Sequence, residues 1–197
     1  MSDVLVLYFS RYGATAELAR EICHGVDSVK GMSARLRTVP AVSPSTEATE
    51  KPVPDSGPPY VTLADLDECS GLVMGSPTRF GNMSSALKHF IDSTGTDWMK
   101  GTLSGKPAGL FTSTSSLHGG NETTLLTMAI PLLHHGMLIV GLPYSLEALS
   151  TTTTGGSPYG ATHVTWNRKP DSLSDEEREL ARALGGRVAT IAQKLAG

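Results

Sequence analysis

Short apolar runs alternate with longer amphipathic stretches along this chain. Residues 4–9 are continuously apolar, which is typical of a central parallel strand that is buried on both faces. Residues 14–29 place Leu18, Ile22 and Val26 on one side at helical spacing. The same reasoning predicts further strands at 33–39, 71–75, 107–111 and 137–140, and helices at 84–94, 121–134 and 174–195. Residues 62–67 predict only a short capping turn.

Five strands that alternate with helices predict an α/β fold with a doubly wound parallel sheet and helices on both faces. No G-x-G-x-x-G motif follows the first strand. The strand order 2-1-3-4-5 therefore fits better than a six-stranded dinucleotide-binding sheet. In that order the ligand crevice lies at the carboxyl ends of strands one and three. We expect one domain over residues 1–197.

Two long stretches fall outside this alternation. Residues 40–60 contain six prolines, and residues 143–170 are rich in threonine and glycine. Loops of this length in compact domains are usually functional or disordered. We expect both insertions to build contacts between subunits.

Composition excludes several classes of protein. The formal net charge is −3, so a basic footprint for nucleic acid is missing. No apolar run approaches the roughly 18 residues of a membrane-spanning helix, and the N-terminus lacks the pattern of a secretory signal. Cys23 and Cys69 are the two cysteines, too few for a disulfide framework. We expect a cytoplasmic protein without nucleic-acid or membrane partners and, since no Cys/His/carboxylate cluster is visible, without a metal site.

The chain holds 21 serines, 21 threonines and 21 glycines, and many of them lie in three loops that follow the first, third and fourth strands. In the first loop, hydroxyl groups, a glycine and the free N–H groups of a helix start can cradle one phosphate. An ordinary helix cap remains an equally good interpretation of this loop alone. The candidate ligands are Ser10, Arg11, Tyr12, Gly13, Ala14 and Thr15.

The second and third loops add a flat wall and a set of backbone donors. A planar heterocycle with polar edges would suit the second loop, which offers Pro77, Thr78, Arg79, Phe80, Gly81 and Asn82. Backbone N–H groups could hold negative charge in the third loop, which reads Thr112, Ser113, Thr114, Ser115, Ser116, Leu117, His118 and Gly119. Each loop alone is compatible with a solvated turn. Three such loops at one edge of the sheet indicate a binding site.

Three motifs together resemble the WrbA family of flavodoxin-like, FMN-dependent NAD(P)H:quinone oxidoreductases. They are Ser10-x-Tyr12-Gly13-x-Thr15, the stretch 75–83 that reads Gly-Ser-Pro-Thr-Arg-Phe-Gly-Asn-Met, and His134-His135-Gly136-Met137. The resemblance extends over about residues 4–195. It implies a flavodoxin-like fold, FMN as cofactor, and NAD(P)H and quinones as substrates.

The resemblance also implies roles for individual residues. The first loop would bind the FMN phosphate, residues 78–80 and 113–119 would line the isoalloxazine ring, and His134 would lie beside it as a candidate catalytic residue. Tyr12 matches the family's NAD(P)H-contact position and Trp98 its substrate-contact position. Without the resemblance, His134 is better explained as a histidine that stabilises a helix C-terminus, and Trp98 as a buried aromatic residue. His135, Cys23 and Cys69 are interpreted as structural.

The family further implies a homotetramer in which neighbouring subunits complete each flavin site. We expect two-electron, ping-pong reduction of quinones, because NAD(P)H and the quinone would occupy one shared position in turn. Two alternatives stay open at this point. One is a one-electron carrier like flavodoxin itself, and the other is a non-catalytic flavoprotein that interacts with a repressor.

Overall fold

The computed structural model describes residues 2–43, 54–166 and 172–196. Its strands are β1 Ser2–Tyr8, β2 Met32–Thr38, β3 Gly71–Pro77, β4 Pro107–Thr114, β5 Leu138–Ile139 and β6 Ala161–Val164. Its helices are α1 Ala14–Asp27, α2 Leu63–Glu68, α3 Ser85–Asp92, α4 Gly95–Lys100, α5 Asn121–His134, α6 Ala148–Thr151 and α7 Asp175–Leu195.

The strands form one parallel sheet in the order β2-β1-β3-β4-β5. This confirms the predicted α/β class and strand order. Because β1 pairs with both β2 and β3, the chain winds in opposite directions from β1, which creates a crevice at the carboxyl ends of β1 and β3.

The far edge of the sheet differs from the prediction. β5 is limited to two residues instead of 137–140, and it pairs with Pro107 and Ala108 at the beginning of β4. β6 pairs with the end of β4, from Phe111 to Thr114. The chain from 143 to 166 thus leaves the sheet and returns to it beside the same strand, while residues 167–170 of the insertion lie outside the described residues. Gly160 allows the return, since a Cβ there would lie 2.0 Å from the carbonyl oxygen of Leu110.

The central strands bury opposite faces in two apolar clusters. Val4 and Val6 of β1 pack with α1 and α7, whereas Leu5 and Leu7 pack on the side of α3 and α5. This two-sided burial explains why residues 4–9 read as a continuous apolar run. None of the helices in the described ranges is long and apolar enough to cross a membrane.

α1 and α7 approach each other closely through glycines. A Cβ at Gly185 would lie 2.1 Å from the carbonyl oxygen of Ile22, and one at Gly25 would lie 1.9 Å from that of Arg182. Glu21 of α1 also accepts hydrogen bonds from Arg178 and Arg182 of α7. The two helices therefore form one layer behind β1 and β4.

Local differences have local causes. The predicted turn at 62–67 corresponds to nearly all of helix α2, which begins after its N-cap Thr62, and Thr62 and Asp65 form a reciprocal capping box. β4 continues to Thr114, so the first residues of the predicted third loop belong to a strand. α4 was not predicted. Of the insertion at 40–60, residues 44–53 lie outside the described residues, while Tyr60 pairs with Thr38 in a parallel bridge.

Candidate functional site

A cavity of about 310 Å³ opens at the carboxyl edge of the sheet. We call it the edge cavity. It is lined by Ser10, Arg11, Tyr12, Ala14, Thr15, Pro77, Thr78, Arg79, Ser113, Thr114, Ser115 and Thr165. All of these except Thr165 belong to the predicted set. The structure therefore brings parts of the three predicted loops together around one space.

The start of α1 forms the floor of the edge cavity and lacks a side-chain cap. Gly13 precedes the helix at φ 96°, and no side chain bonds the first-turn N–H groups. α2 and α7, by contrast, have capping boxes. Ser10 Oγ accepts a hydrogen bond from the Gly13 N–H at 3.2 Å, which closes the loop. The uncapped N–H groups, at buried Ala14 and Thr15, are a ready anion cradle.

A pair of buried hydroxyl groups connects this cradle to β4. Thr15 Oγ1 lies 2.8 Å from Ser113 Oγ. The neighbouring Thr112 points elsewhere, because its buried hydroxyl donates to the carbonyl oxygen of Ser76 at 2.8 Å. Thr112 thus fixes the β3–β4 edge and does not line the edge cavity, although it was predicted as a ligand.

The second loop is a tight hairpin. The Arg79 N–H donates to Asn82 O at 2.7 Å, and the Asn82 N–H donates back to Arg79 O at 3.1 Å. The two central residues, Phe80 at φ 53° and Gly81 at φ 75°, have the positive φ angles of a type I′ turn. Phe80 is the only non-glycine residue with positive φ among the described residues, and its side chain is fully exposed. Within one chain, Phe80 is therefore not part of the lining of the edge cavity, which it was predicted to line.

The edge cavity is positively charged. Its lining contains two arginines and no carboxylate. The Arg79 guanidinium donates to the carbonyl oxygen of Thr78 at 2.6 Å, and that of Arg11 lies 5.5 Å from the ring centre of Tyr12. In a chain of net charge −3, this concentrates positive potential where the cradle already favours an anion.

His134 and Trp98 come together, but at a different place. The Trp98 indole N–H donates to the carbonyl oxygen of His134 at 2.7 Å. Both residues line a second cavity of about 570 Å³ with Asn82, Met83 and His135, which we call the α5 cavity. Within a single chain, Trp98 and His134 thus lie apart from most of the other residues predicted to bind the cofactor.

His135, beside the α5 cavity, is held in one tautomer. Its Nε2 lies 3.0 Å from Thr94 Oγ1, and that hydroxyl already donates to Ile91 O at 2.7 Å. Nε2 must therefore carry the proton and donate to Thr94. Burial lowers the pKa of His135 and so favours its neutral form. The hydrogen bond to Thr94 fits the expectation that this histidine is structural.

The later residues of the third loop turn away from the edge cavity. Ser116, Leu117 and His118 line a third cavity of about 550 Å³ together with Val164 and Trp166. The Gly119 N–H donates to Ser116 O at 3.2 Å and closes this turn. Only the start of the predicted loop, at Ser113, Thr114 and Ser115, lines the edge cavity.

The two cysteines are free thiols, with Cys69 buried and Cys23 partly buried. Burial raises the pKa of the Cys23 thiol to about 12, and burial also raises that of Cys69. Over the described ranges, no three His, Cys, Asp or Glu side chains are grouped so that they could hold a metal ion.

Comparison with known sequences decides the family. The sequence model of a family described as NADPH-dependent FMN reductase matches residues 4–149. The chain belongs to this family. A protein of Solidesulfovibrio magneticus named NAD(P)H dehydrogenase (quinone) is 43% identical over 200 aligned positions, which cover 98% of each chain. A protein of the same name from Gluconacetobacter diazotrophicus is 44% identical over 198 positions, which cover 99% of each chain.

Solved structures agree on the fold of this family member. A structure titled as a WrbA-like flavodoxin from Agrobacterium tumefaciens gives a TM-score of 0.68 at 23% identity and covers 98% of this chain and 99% of the other. An archaeal flavodoxin gives a TM-score of 0.63 at 19% identity, with 97% and 99% covered. The flavodoxin-like fold and the family resemblance inferred from the motifs are both confirmed.

The edge cavity fits the FMN that was predicted from the motifs and is supported by the family. FMN combines one phosphate with a polyhydroxy chain and a flat ring. The uncapped start of α1 suits the phosphate, the hydroxyl groups of Ser113, Thr114 and Ser115 suit the chain, and Pro77 and Thr78 offer a wall for the ring. No lysine lines the cavity, as expected for a site that holds a single terminal phosphate.

Sequence reasoning missed two features near this site. Thr165 lines the edge cavity because its N–H donates to Thr114 O at 2.9 Å, directly after β6. Behind β6, buried His163 contacts buried Glu177 at 2.8 Å. The run Ala-Thr-His-Val at 161–164 has β-branched residues and follows a glycine. That run was the available signal for a strand ending at the binding edge.

Proposed function

We propose that this protein is an FMN-dependent NAD(P)H:quinone oxidoreductase. The observation that carries the proposal is the edge cavity, in which an uncapped helix start and a flat wall meet at the switch point of the sheet. The relatives named NAD(P)H dehydrogenase (quinone) supply the reaction class. Bound FMN would supply the redox chemistry, by accepting a hydride from one substrate and reducing the other.

The residues of the chain position the cofactor. The phosphate would be held by the N–H groups at the start of α1 and by the loop of Ser10, Gly13 and Thr15. The hydrogen bond from the Gly13 N–H to the Ser10 hydroxyl closes this loop. Ser113 would stabilise the phosphate-binding loop, because its hydroxyl contacts that of Thr15. It would also contact the polyhydroxy chain of FMN, because it lines the edge cavity. Arg79 is fixed by its bond to Thr78 O, so its positive charge would lie at a constant place beside the ring and favour a negatively charged, reduced state.

Tyr12 leaves one side of the site open to substrates. Its side chain is 73% exposed although it lines the edge cavity. An exposed aromatic ring at the mouth offers a surface on which a nicotinamide or a quinone ring can stack. If both substrates use this surface in turn, the reaction follows a ping-pong sequence.

We further propose that a second copy of the chain completes the site. α5 exposes an apolar stripe of Leu126, Ile130 and Leu133, spaced on one helical face. Two hydrogen bonds connect α5 to neighbouring segments. Thr127 Oγ1 donates to Gly81 O, next to exposed Phe80, at 3.2 Å, and the Trp98 indole N–H donates to His134 O. A contiguous apolar surface of this kind marks an interface. Covering it would bring Phe80, Trp98 and His134 of one chain towards the edge cavity of another, in the tetramer that the family resemblance implies.

A catalytic role for His134 belongs to this assembly. His134 is the last residue of α5, and an imidazole can give a proton to a quinone oxygen or take one from it. We propose that His134 acts across the interface, and that the protein works in the cytoplasm on these small molecules without a nucleic-acid or membrane partner.

Steady-state kinetics of the FMN-loaded protein test the proposed reaction. Initial rates would be measured against NADH or NADPH at several fixed concentrations of a benzoquinone. Parallel double-reciprocal lines are expected from the shared site. Intersecting lines would overturn the ping-pong order, and a protein whose flavin only exchanges single electrons with a partner protein would be a carrier instead.

A further inference from the structure

One of the two arginines of the edge cavity lies outside the phosphate cradle. The phosphate cradle is built from N–H and hydroxyl groups at Ser10, Gly13, Thr15 and Ser113. The side chain of Arg11 is not part of it. That guanidinium lies over the ring of Tyr12, 5.5 Å from its centre, and both side chains are exposed.

The two arginines of the edge cavity differ in how they are held. Arg79 is fixed by its hydrogen bond to Thr78 O. Arg11, although it lines the same cavity, forms no ion pair with any carboxylate of the described residues. Stacking on Tyr12 leaves the edge N–H groups of a guanidinium free to bind an oxyanion. Within the described ranges, Arg11 is thus a cation at the mouth that stacks on an aromatic ring and has no carboxylate partner.

Resting on the proposed function, we infer that Arg11 is a specificity-determining residue that binds a phosphate group of the incoming nicotinamide dinucleotide. Tyr12 would meet the nicotinamide end of the reductant, and Arg11, on the ring of Tyr12, would meet its anionic part. The shared chemistry is a phosphate oxyanion bound by a guanidinium fork. Two parts of the reductant can supply it: the pyrophosphate, present in NADH and NADPH, and the 2′-phosphate, present only in NADPH.

The test compares four FMN-loaded proteins: the wild type, Arg11→Met, Arg11→Lys and Arg20→Met. Methionine keeps an apolar stem against Tyr12 and removes the charge. Arg20→Met removes the same charge from an exposed position of α1 that does not line the edge cavity. Anaerobic rapid mixing gives the apparent Kd of each dinucleotide and the limiting rate of flavin reduction.

For Arg11→Met we expect the Kd of NADPH to rise about tenfold or more, as for the loss of a charge-assisted hydrogen bond. The limiting rate of flavin reduction should not change, and any rise in the Kd of FMN should be smaller than the rise in the Kd of NADPH. The Kd of NADPH for Arg11→Lys should lie between those of the wild type and Arg11→Met, and the Kd for Arg20→Met should equal that of the wild type. A dihydronicotinamide without any phosphate, such as the N-benzyl compound, should reduce all four proteins equally. If the Kd of NADH rises as well, Arg11 contacts the pyrophosphate. If only the Kd of NADPH rises, Arg11 contacts the 2′-phosphate.

Two results would overturn the inference. One is unchanged binding of both dinucleotides to Arg11→Met, and the other is a weakening of FMN binding by the same factor. Calorimetric titration with NADP⁺ and NAD⁺ measures the contact without turnover. A wild type that binds NADP⁺ through Arg11 but is not reduced by NADPH would therefore contradict the proposed reaction and not the phosphate contact.

Discussion

At the scale of single residues, two buried hydroxyl groups control whether the first and third loops form one site. Thr15 and Ser113 are almost fully buried and lie 2.8 Å apart at their oxygens. One hydroxyl donates to the other, and the accepting hydroxyl keeps a proton that it can donate to an oxygen of a bound phosphate. The pair therefore links the cradle at the start of α1 to the end of β4.

Replacing Ser113 by alanine should weaken FMN binding by about tenfold, because one hydrogen bond is lost and Thr15 is left without its partner. Fluorescence titration of the apoprotein with FMN measures the change. Ser93→Ala is the control, since that exposed hydroxyl only donates to Phe90 O at the end of α3. Equal FMN affinity of Ser113→Ala and wild type would contradict the assignment.

Glu177 is the buried anion that joins β6 to α7. Burial raises the pKa of this carboxyl group. Hydrogen bonds from His163 and from the N–H groups of Ser174 and Gly155 outweigh that effect and lower it to about 2. A pKa lowered from 4.5 to about 2 corresponds to about 3 kcal/mol of stability. That stability is complete above pH 4.5 and is lost as the pH falls towards 2.

Glu177→Gln should lower the free energy of unfolding at pH 7 by about 2–3 kcal/mol, because the amide NH₂ must face a donor whichever way it turns. The difference from wild type should shrink as the pH falls from 4.5 to 2. Denaturant unfolding at several pH values measures both effects. Glu179→Gln, which removes an exposed charge from the same helix, should change little. A pH-independent difference would refute the account.

Sequence predicted the residues of the edge cavity better than their roles. Hydroxyl and glycine residues after strands predict a site because the topology gathers those loops at one edge. The sequence could not show that the Thr112 hydroxyl bonds to β3 and does not line the cavity. Side chains alternate between the two faces of a strand, so this depends on where β4 begins and ends. Nor could it predict that Phe80 occupies a positive φ, because that strain follows from the pairing of Arg79 with Asn82.

At the scale of elements, the layer behind the sheet depends on the close approach of α1 and α7. Gly185 permits that approach. Gly185→Ala should lower the free energy of unfolding by about 2–3 kcal/mol, since the new methyl group has no space. Gly186→Ala is the matched control: its nearest backbone atom would lie 3.3 Å away, and alanine favours a helix. Thermal unfolding of both variants tests this, and equal stability losses would contradict it.

The alternation of apolar runs predicted the order of elements because each central strand is buried on both faces. It failed at the edge of the sheet. β5 consists of two exposed residues, Leu138 and Ile139. A strand that is not buried need not have a continuous apolar run, so the apolar pattern does not define its limits. β6 was hidden inside a stretch rich in threonine and glycine, although its position beside β4 gives Thr165 to the edge cavity.

At the scale of the whole molecule, the proposed assembly rests on the exposed stripe of α5. Ile130→Asp should convert the proposed tetramer to smaller species in sedimentation velocity and reduce quinone turnover at least tenfold, because a charge cannot be buried unpaired at an apolar interface. FMN binding should remain. Leu195→Asp is the control, since Leu195 is 57% exposed and Ile130 56%. A fully active monomeric wild type would contradict the assembly.

A nicotinamide dinucleotide and a quinone are proposed to react in turn at the flavin held by the edge cavity. The decisive measurement is anaerobic addition of one equivalent of NADPH to the yellow, FMN-loaded protein, followed by one equivalent of benzoquinone. NADPH alone should bleach the flavin absorbance and the quinone should restore it, without any partner protein. Persistence of the yellow colour after NADPH and after NADH would contradict it.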